Sequence, residues 1–384
     1  MPIRQKVAVA AIAALATTGV GATAGTASAA PPAESYIVTV DPALLPSQVA
    51  DRAARLGGRI DYVYTSAMIG FAVKLPTALA DRLATLPGVV GVERDMPVTR
   101  AATQTSAPWG LDRVDQRALP FSGTYSSTAT GAEVTAYIID TGIRLDHSDF
   151  VGRVSSGFDA VDGGSADDCN GHGTHVAGTV GGSTYGVAKG VSLVAVRVLN
   201  CAGSGTNAGV IAGIDWVTAD HQAGRPAVAN MSLGGGASAA LDSAVSRSIA
   251  DGVSYAVAAG NGNAQGTPQN ACNSSPARVT AALTVGATNR TDKPASFSNY
   301  GSCVDLFAPG VSITSDWYTT AAAINTISGT SMATPHVAGV AALYLQGNRT
   351  ATPATVATAL KAATTKDAVP TTRTANNDLL FSDY

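Results

Sequence analysis

The sequence predicts a mostly parallel, doubly wound α/β sheet preceded by a small α+β module. Two observations carry this: from residue 134 onward continuous apolar runs alternate with helical stretches, and residues 36–93 hold a compact strand-helix-strand-strand-helix-strand pattern. A stretch rich in Ala, Thr, Ser and Gln at 99–107 lies between the two and reads as an exposed linker.

At the amino end, Arg4 and Lys6 precede an Ala-rich apolar stretch over 7–20, and small residues follow up to Ala27-Ser28-Ala29, so residues 1–29 read as a secretory signal peptide. A membrane anchor needs about 20 strongly apolar residues in a row. Thr17, Thr18 and repeated Gly interrupt this one, and Gly, Ser and Asn break every later apolar run, so no membrane partner is expected.

In the small module, YIVTV at 36–40 is a strand, 48–56 a helix, 58–64 and 68–75 strands, 77–86 a helix and 89–93 a strand. Beyond the linker, VTAYIID, VSLVAVRVL, AVANMSL and VSYAVAAG read as strands buried on both faces, with helices over 207–219 and 241–251. Sheets of this kind place their chemistry just beyond the carboxyl ends of the strands.

With 384 residues the chain can bury a large core and a second small one. Only 13% of residues are charged and the net charge is -3, which lacks the basic footprint a nucleic-acid partner requires. The 41 Gly and 46% apolar residues suit a globular protein with many tight loops. In an oxidising compartment the four cysteines can form disulfides; four allow three pairings, and separations of 32 (Cys169 to Cys201) and 31 (Cys272 to Cys303) leave the choice open.

Three residues fall where chemistry is expected. Asp140 ends YIID and is followed by Thr141-Gly142, so its carboxylate projects at a strand's carboxyl end; an Asp there is otherwise a cap or turn former. His172 lies in NGHGTHVAGTV, crowded by Gly171 and Gly173, as a candidate base. Ser331 lies in SGTSMATPHVAGVAALYL, a turn entering a long apolar helix, where free N–H groups and the helix dipole favour developing negative charge. Pro335 is placed within the first turn or so, where its missing N–H costs little. An ordinary Ser cap is the commoner use of such a serine.

Together, DTG at Asp140, NGHGTHVAGT around His172, AAGN ending at Asn261 and GTSMATPHVAG around Ser331 resemble the four signature segments of the subtilases, in the chain order Asp, His, Ser. The resemblance runs from about Ala102 to the carboxyl end and is closest to the proteinase K branch and its aqualysin-like members, through APWGLDRVDQRALP, PAVANMSLGGG and SFSNYGSCVDLFAPG. It implies a subtilisin-like fold and a secreted, monomeric serine endopeptidase. In it Ser331 is the nucleophile, His172 the general base and acid, Asp140 the carboxylate orienting the imidazole, and Asn261 an oxyanion donor beside the Ser331 N–H.

The same resemblance places a peptide substrate, as an added strand, between Gly203, Ser204, Gly205 and Ser232, Leu233, Gly234, Gly235. The primary pocket it implies, walled by Ser232 to Gly235 and by Ala258, Ala259 and Gly260, contains no charge, so broad specificity with apolar or aromatic preference is expected. It also implies pairing of Cys169 with Cys201 and of Cys272 with Cys303. The rival for Cys169 is a zinc site in the C-x-x-H-x-x-H run with His172 and His175.

Structural calcium is implied at Asp305 with the carbonyls of Thr280 and Ala282, and at Asp112, Asp115 and Gln116 with Ser122 and Thr124 nearby. Asp159, Asp162, Asp167 and Asp168 form a third, weaker cluster. No catalytic metal is expected. Residues 30–101 resemble a ferredoxin-like inhibitory propeptide, cut by the enzyme itself near Arg100 and Ala101, leaving 102–384 as the peptidase domain.

Three other readings fit less well. An α/β-hydrolase esterase needs G-x-S-x-G and the order Ser, acid, His, whereas Ser331 sits in G-T-S-M-A. A dead binding protein on the same scaffold would lack a member of the triad. Gly260-Asn261-Gly262 lacks the third Gly of a dinucleotide site.

Overall fold

The computed structural model describes residues 33–95, 102–371 and 373–384, so the expected signal peptide at 1–29 and the tail at Arg100 and Ala101 lie outside the described residues. The chain divides into two compact units, Met1–Pro97 and Val98–Tyr384.

The first unit contains β1 (Ala33–Val40), α1 (Pro46–Arg55), β2 (Arg59–Tyr64), β3 (Gly70–Pro76), α2 (Ala80–Ala84) and β4 (Val89–Arg94). The strands form an antiparallel sheet in the order β2-β3-β1-β4. Pro46, Val49, Ala50 and Ala53 recur at helical spacing, so α1 buries one stripe against Val38, Phe71, Val73 and Leu75. The second helix is shorter than the expected 77–86: a 3₁₀ turn at Thr77–Leu79 leads into five α-helical residues. Pro87 disfavours helical backbone at the residue before it.

The second unit opens with a departure from the expected linker: β5 (Ala102–Thr105) pairs antiparallel with β6 (Thr124–Ser127), and α3 (Trp109–Val114) lies between them. Its polar composition hid a strand that has only one partner and no apolar face to bury. There follow β7 (Thr135–Asp140), β8 (Val154–Asp159), α4 (His172–Gly181), β9 (Ser192–Arg197), α5 (Asn207–Asp220) and β10 (Ala227–Met231). Next come β11 (Gly235–Gly236), α6 (Ala239–Asp251), β12 (Ser254–Ala258), β13 (Ser274–Ser275) and β14 (Leu283–Thr288). The chain closes with β15 (Leu306–Pro309), β16 (Ile313–Asp316), β17 (Ile324–Ile327), α7 (Thr330–Gly347) and α8 (Pro353–Ala363).

Seven of these strands form one parallel sheet in the order β15-β14-β12-β10-β7-β9-β8. Alternate residues of β7 face opposite layers: Ala136 and Ile138 pack with α4 and α7, Tyr137 and Ile139 with α5 and α6. Hence the strand reads as one apolar run, the pattern of a doubly wound sheet. From β7 the chain builds toward β8 and β9 on one side and toward β10 to β15 on the other. The crevice at the carboxyl end of such a reversal is where ligands bind in open α/β sheets, and Asp140 is the last residue of β7.

Candidate active site

Asp140 is fully buried, and its Oδ1 accepts hydrogen bonds from His172 Nδ1–H at 2.7 Å and from the Thr141 N–H at 2.8 Å. With Nδ1 donating, the neutral imidazole keeps its lone pair on Nε2, as a base requires. His172 is the first residue of α4 and about a quarter exposed. Burial pulls its pKa down, but the charge and hydrogen bond of Asp140 and the charge of Asp168 outweigh this and hold it above the ordinary histidine value. The start of α4 fits against the turn after β7 only because residue 173 is Gly: a Cβ there would stand 2.1 Å from the Gly142 carbonyl oxygen.

Ser331 is the second residue of α7 and 9% exposed. Pro335 lies further into this helix than the sequence suggested, at its sixth position, where the missing N–H leaves the Ser331 carbonyl without its usual i+4 donor. Ser232 Oγ–H supplies one at 2.8 Å, and Ser331 Oγ–H donates back to the Ser232 carbonyl at 3.0 Å. The proline thereby ties the segment after β10 to the serine. While it donates to that carbonyl the Ser331 hydroxyl proton is not directed at a base, and catalytic hydrogen bonds commonly tighten only once substrate is bound.

Asn261 follows β12. Its Oδ1 accepts from the Thr330 N–H at 2.8 Å and the Thr330 hydroxyl at 2.9 Å, which fixes the amide and turns Nδ2 outward. The position a Cβ would take on Gly329 lies 3.4 Å from Asn261 Nδ2 and 3.5 Å from Ser331 N. Two N–H donors thus converge beside Gly329, an arrangement that can stabilise a developing oxyanion.

A cavity of about 450 Å³ is lined by His172, by Gly203, Ser204 and Gly205 on one side and by Ser232, Leu233, Gly234 and Gly235 on the other. Leu199, just after β9, Val210 in α5 and Leu241 in α6 add an apolar lining that sequence reading missed, because an apolar residue at or beside a buried element looks like any other core residue. Among the described residues no Asp, Glu, Lys or Arg lines it. Ala258, Ala259 and Gly260 do not line this cavity: the two alanines are buried, and the Gly260 N–H donates to Thr330 Oγ1 at 3.1 Å.

Cys169 pairs with Cys201 and Cys272 with Cys303, with Cα atoms 4.9 and 5.4 Å apart. The first bridge ties the loop ahead of α4 to the segment leading into Gly203. The zinc alternative for Cys169 is not realised: that thiol is bonded to Cys201, and His175 Nε2–H donates to the Ile313 carbonyl at 3.0 Å. Burial holds His175 neutral, with its pKa lowered to about 3.

Of the calcium candidates, Asp112 accepts the Ser122 and Gly123 N–H groups, and Gln116 Oε1 accepts the Ser122 N–H. Asp115 Oδ1 is buried without a partner among the described residues, and burial above all raises this carboxyl to about 6. A hard cation is the partner such an oxygen fits. Asp305 accepts the Thr284 N–H at 2.9 Å and has Lys361 Nζ 3.3 Å from its other oxygen. The third cluster is dispersed: Asp159 and Asp162 pair with Arg197, Asp167 accepts the Leu145 N–H, and Asp168 is engaged by Thr141 and the start of α4. Among the described residues no three His, Cys, Asp or Glu side chains are grouped to hold a metal.

Comparison with known proteins agrees with this geometry. The subtilase family model matches residues 131–380, and the peptidase inhibitor I9 model matches 33–101. The chain is 56% identical to the extracellular serine proteinase of Thermus sp. (strain Rt41A) over 361 residues, 92% of this chain and 86% of that protein. It is 52% identical to alkaline serine exoprotease A of Vibrio alginolyticus, covering 87% of this chain but only 62% of the Vibrio protein's length. A crystal structure of a cold adapted subtilisin-like serine proteinase superposes with a TM-score of 0.70 at 56% identity, covering 73% of this chain and all of that one. The chain belongs to the subtilase family of serine peptidases and carries an I9 inhibitor segment ahead of its peptidase domain.

Proposed function

We propose that this protein is a secreted serine endopeptidase of broad specificity, matured by its own cleavage near Ala101. The observation that carries the reading is the union of the 2.7 Å Asp140–His172 pair with two N–H donors converging beside Ser331. Ser331 Oγ attacks the scissile carbonyl carbon as its proton passes to His172 Nε2, while Asn261 Nδ2 and the Ser331 N–H hold the oxyanion. His172 then protonates the leaving amine, and water hydrolyses the acyl-enzyme by the same relay in reverse. Asp140 keeps the imidazole in the required tautomer and stabilises its protonated form.

The facing segments at Gly203 to Gly205 and Ser232 to Gly235 bind substrate backbone, which places little demand on sequence. The uncharged lining with Leu199, Val210 and Leu241 favours apolar side chains. A peptide library is expected to show cleavage after many residue types with apolar and aromatic enrichment; an absolute need for Arg or Lys before the cut would overturn the specificity. A fluorophosphonate probe is expected to label Ser331 alone.

Residues 1–29 direct secretion, residues 30–101 act as an intramolecular inhibitor, and 102–384 form the mature, monomeric enzyme. The extracellular designation of the Thermus relative supports the location. Calcium, held by Asp115 with Asp112 and Gln116 and by Asp305 with Thr280 and Ala282, cross-braces surface loops and supplies no catalytic chemistry. Chelator is therefore expected to lower the melting temperature of the mature protein, and Asp115→Asn to shrink that drop. An unchanged melting temperature in chelator would remove calcium from the account.

A further inference from the structure

Asp168, in the loop ahead of α4, is buried with 6% of its surface exposed. Its Oδ1 accepts the Thr141 hydroxyl and the Asn170 and Gly171 N–H groups, each at 2.9 Å. Its Oδ2 accepts the Thr174 N–H at 3.0 Å and the Thr174 hydroxyl at 2.6 Å. Thr141 Oγ1 in turn accepts the Gly173 N–H at 2.9 Å. One carboxylate thus joins the turn that leaves Asp140 to the first turn of the helix that begins with His172. The pairing partners of the triad lie on different elements, and this bridge connects those elements directly.

We infer that Asp168 is a positioning residue for the base: it sets where His172 stands relative to Asp140, and its charge stabilises the imidazolium that forms during each proton transfer. This rests on the reading of His172 as general base. A cap alone would need only one or two of these bonds, since Asn170 Oδ1 already serves the His172 N–H at 3.2 Å. The titratable groups that act on or beside the ring are Asp140 from β7, Asp168 from the loop and His175 one turn along α4, and His175 stays neutral. Asp140 and Asp168 are therefore the two charges that oppose the effect of burial on His172.

The test is kcat/KM against pH for the mature enzyme and three variants. Activity needs neutral His172, so it falls as pH drops through the His172 pKa, which lies above the ordinary value. Removing a nearby negative charge destabilises the imidazolium, so Asp168→Asn is expected to move this acid limb down by about 0.5 to 1 pH unit. It is also expected to lower kcat roughly tenfold or more, with KM within about threefold. Thr141→Val keeps the charge and cuts the hydroxyl link: kcat falls while the limb stays, and Thr141→Ser restores kcat. An Asp168→Asn enzyme whose limb sits at the wild-type position overturns the inference, even if it melts earlier. Should that variant not fold, Thr141→Val decides, and wild-type kcat there overturns the inference equally. Undiminished activity of His172→Ala would instead sink the assignment of the base itself.

Discussion

Ser331→Ala is expected to abolish casein digestion, with turnover reduced about 10⁶-fold, the loss found on removing the equivalent serine of subtilisin. In the proposed mechanism the hydroxyl is the group that forms the acyl bond, and neither the convergent N–H donors nor the cavity can replace it. Residual turnover above the uncatalysed rate is expected to remain, because oxyanion stabilisation and substrate positioning survive the change. Folding should be intact: among the described residues Ser331 Oγ makes one hydrogen bond, to the Ser232 carbonyl, and the reciprocal bond from Ser232 Oγ to the Ser331 carbonyl does not involve the removed atom. The same variant should accumulate as uncut precursor. Equal casein digestion by wild type and variant would overturn the proposed mechanism, and normal processing of the variant would assign maturation to another protease.

The second large effect is expected at the oxyanion donors. Asn261→Ala should cost about 10² to 10³ in kcat with little change in KM, a magnitude taken from subtilisin itself. That change also removes the Oδ1 acceptor of the Thr330 N–H and hydroxyl, so part of any loss reflects the start of α7. Gly329→Ala separates the two. The Gly329 backbone is extended, with φ 166° and ψ 162°, which alanine adopts without strain. Among the described residues the added methyl would meet nothing closer than 3.4 Å, yet it stands beside both donors, where the proposed mechanism puts the oxyanion. Gly329→Ala should therefore melt like the wild type and lose kcat roughly a hundredfold. Wild-type kcat in this variant would mean the oxyanion is held elsewhere.

Much of the site was legible because its chemistry demands particular residue types in short segments: DTG, NGHGTH, AAGN and GTSMATP each carry a reactive or polar side chain flanked by small residues. The departures have a common cause, which is that sequence proximity does not show who accepts a bond. Asp168 looked like one of four carboxylates fit for an ion, and five donors, from Thr141 and from the run 170–174, claim it instead. Pro335 looked harmless near a helix start, while the carbonyl it leaves without a donor is the one that recruits Ser232. The polar stretch after the small module looked like linker, but β5 needs only the backbone of β6 to form a strand.

By itself the sequence determined the doubly wound class, since strands buried on both faces read as near-continuous apolar runs and here they alternate with helical stretches. It also singled out Asp140, His172, Ser331 and Asn261, through the resemblance of their four segments to the subtilases taken together, since each residue alone has other common uses. Only the tertiary structure decided their mutual geometry, the cavity wall shared by the segment after β9, α5 and α6, and the cysteine pairing that spacing had left open. These are distances between residues far apart in the chain, and they follow from how the layers pack.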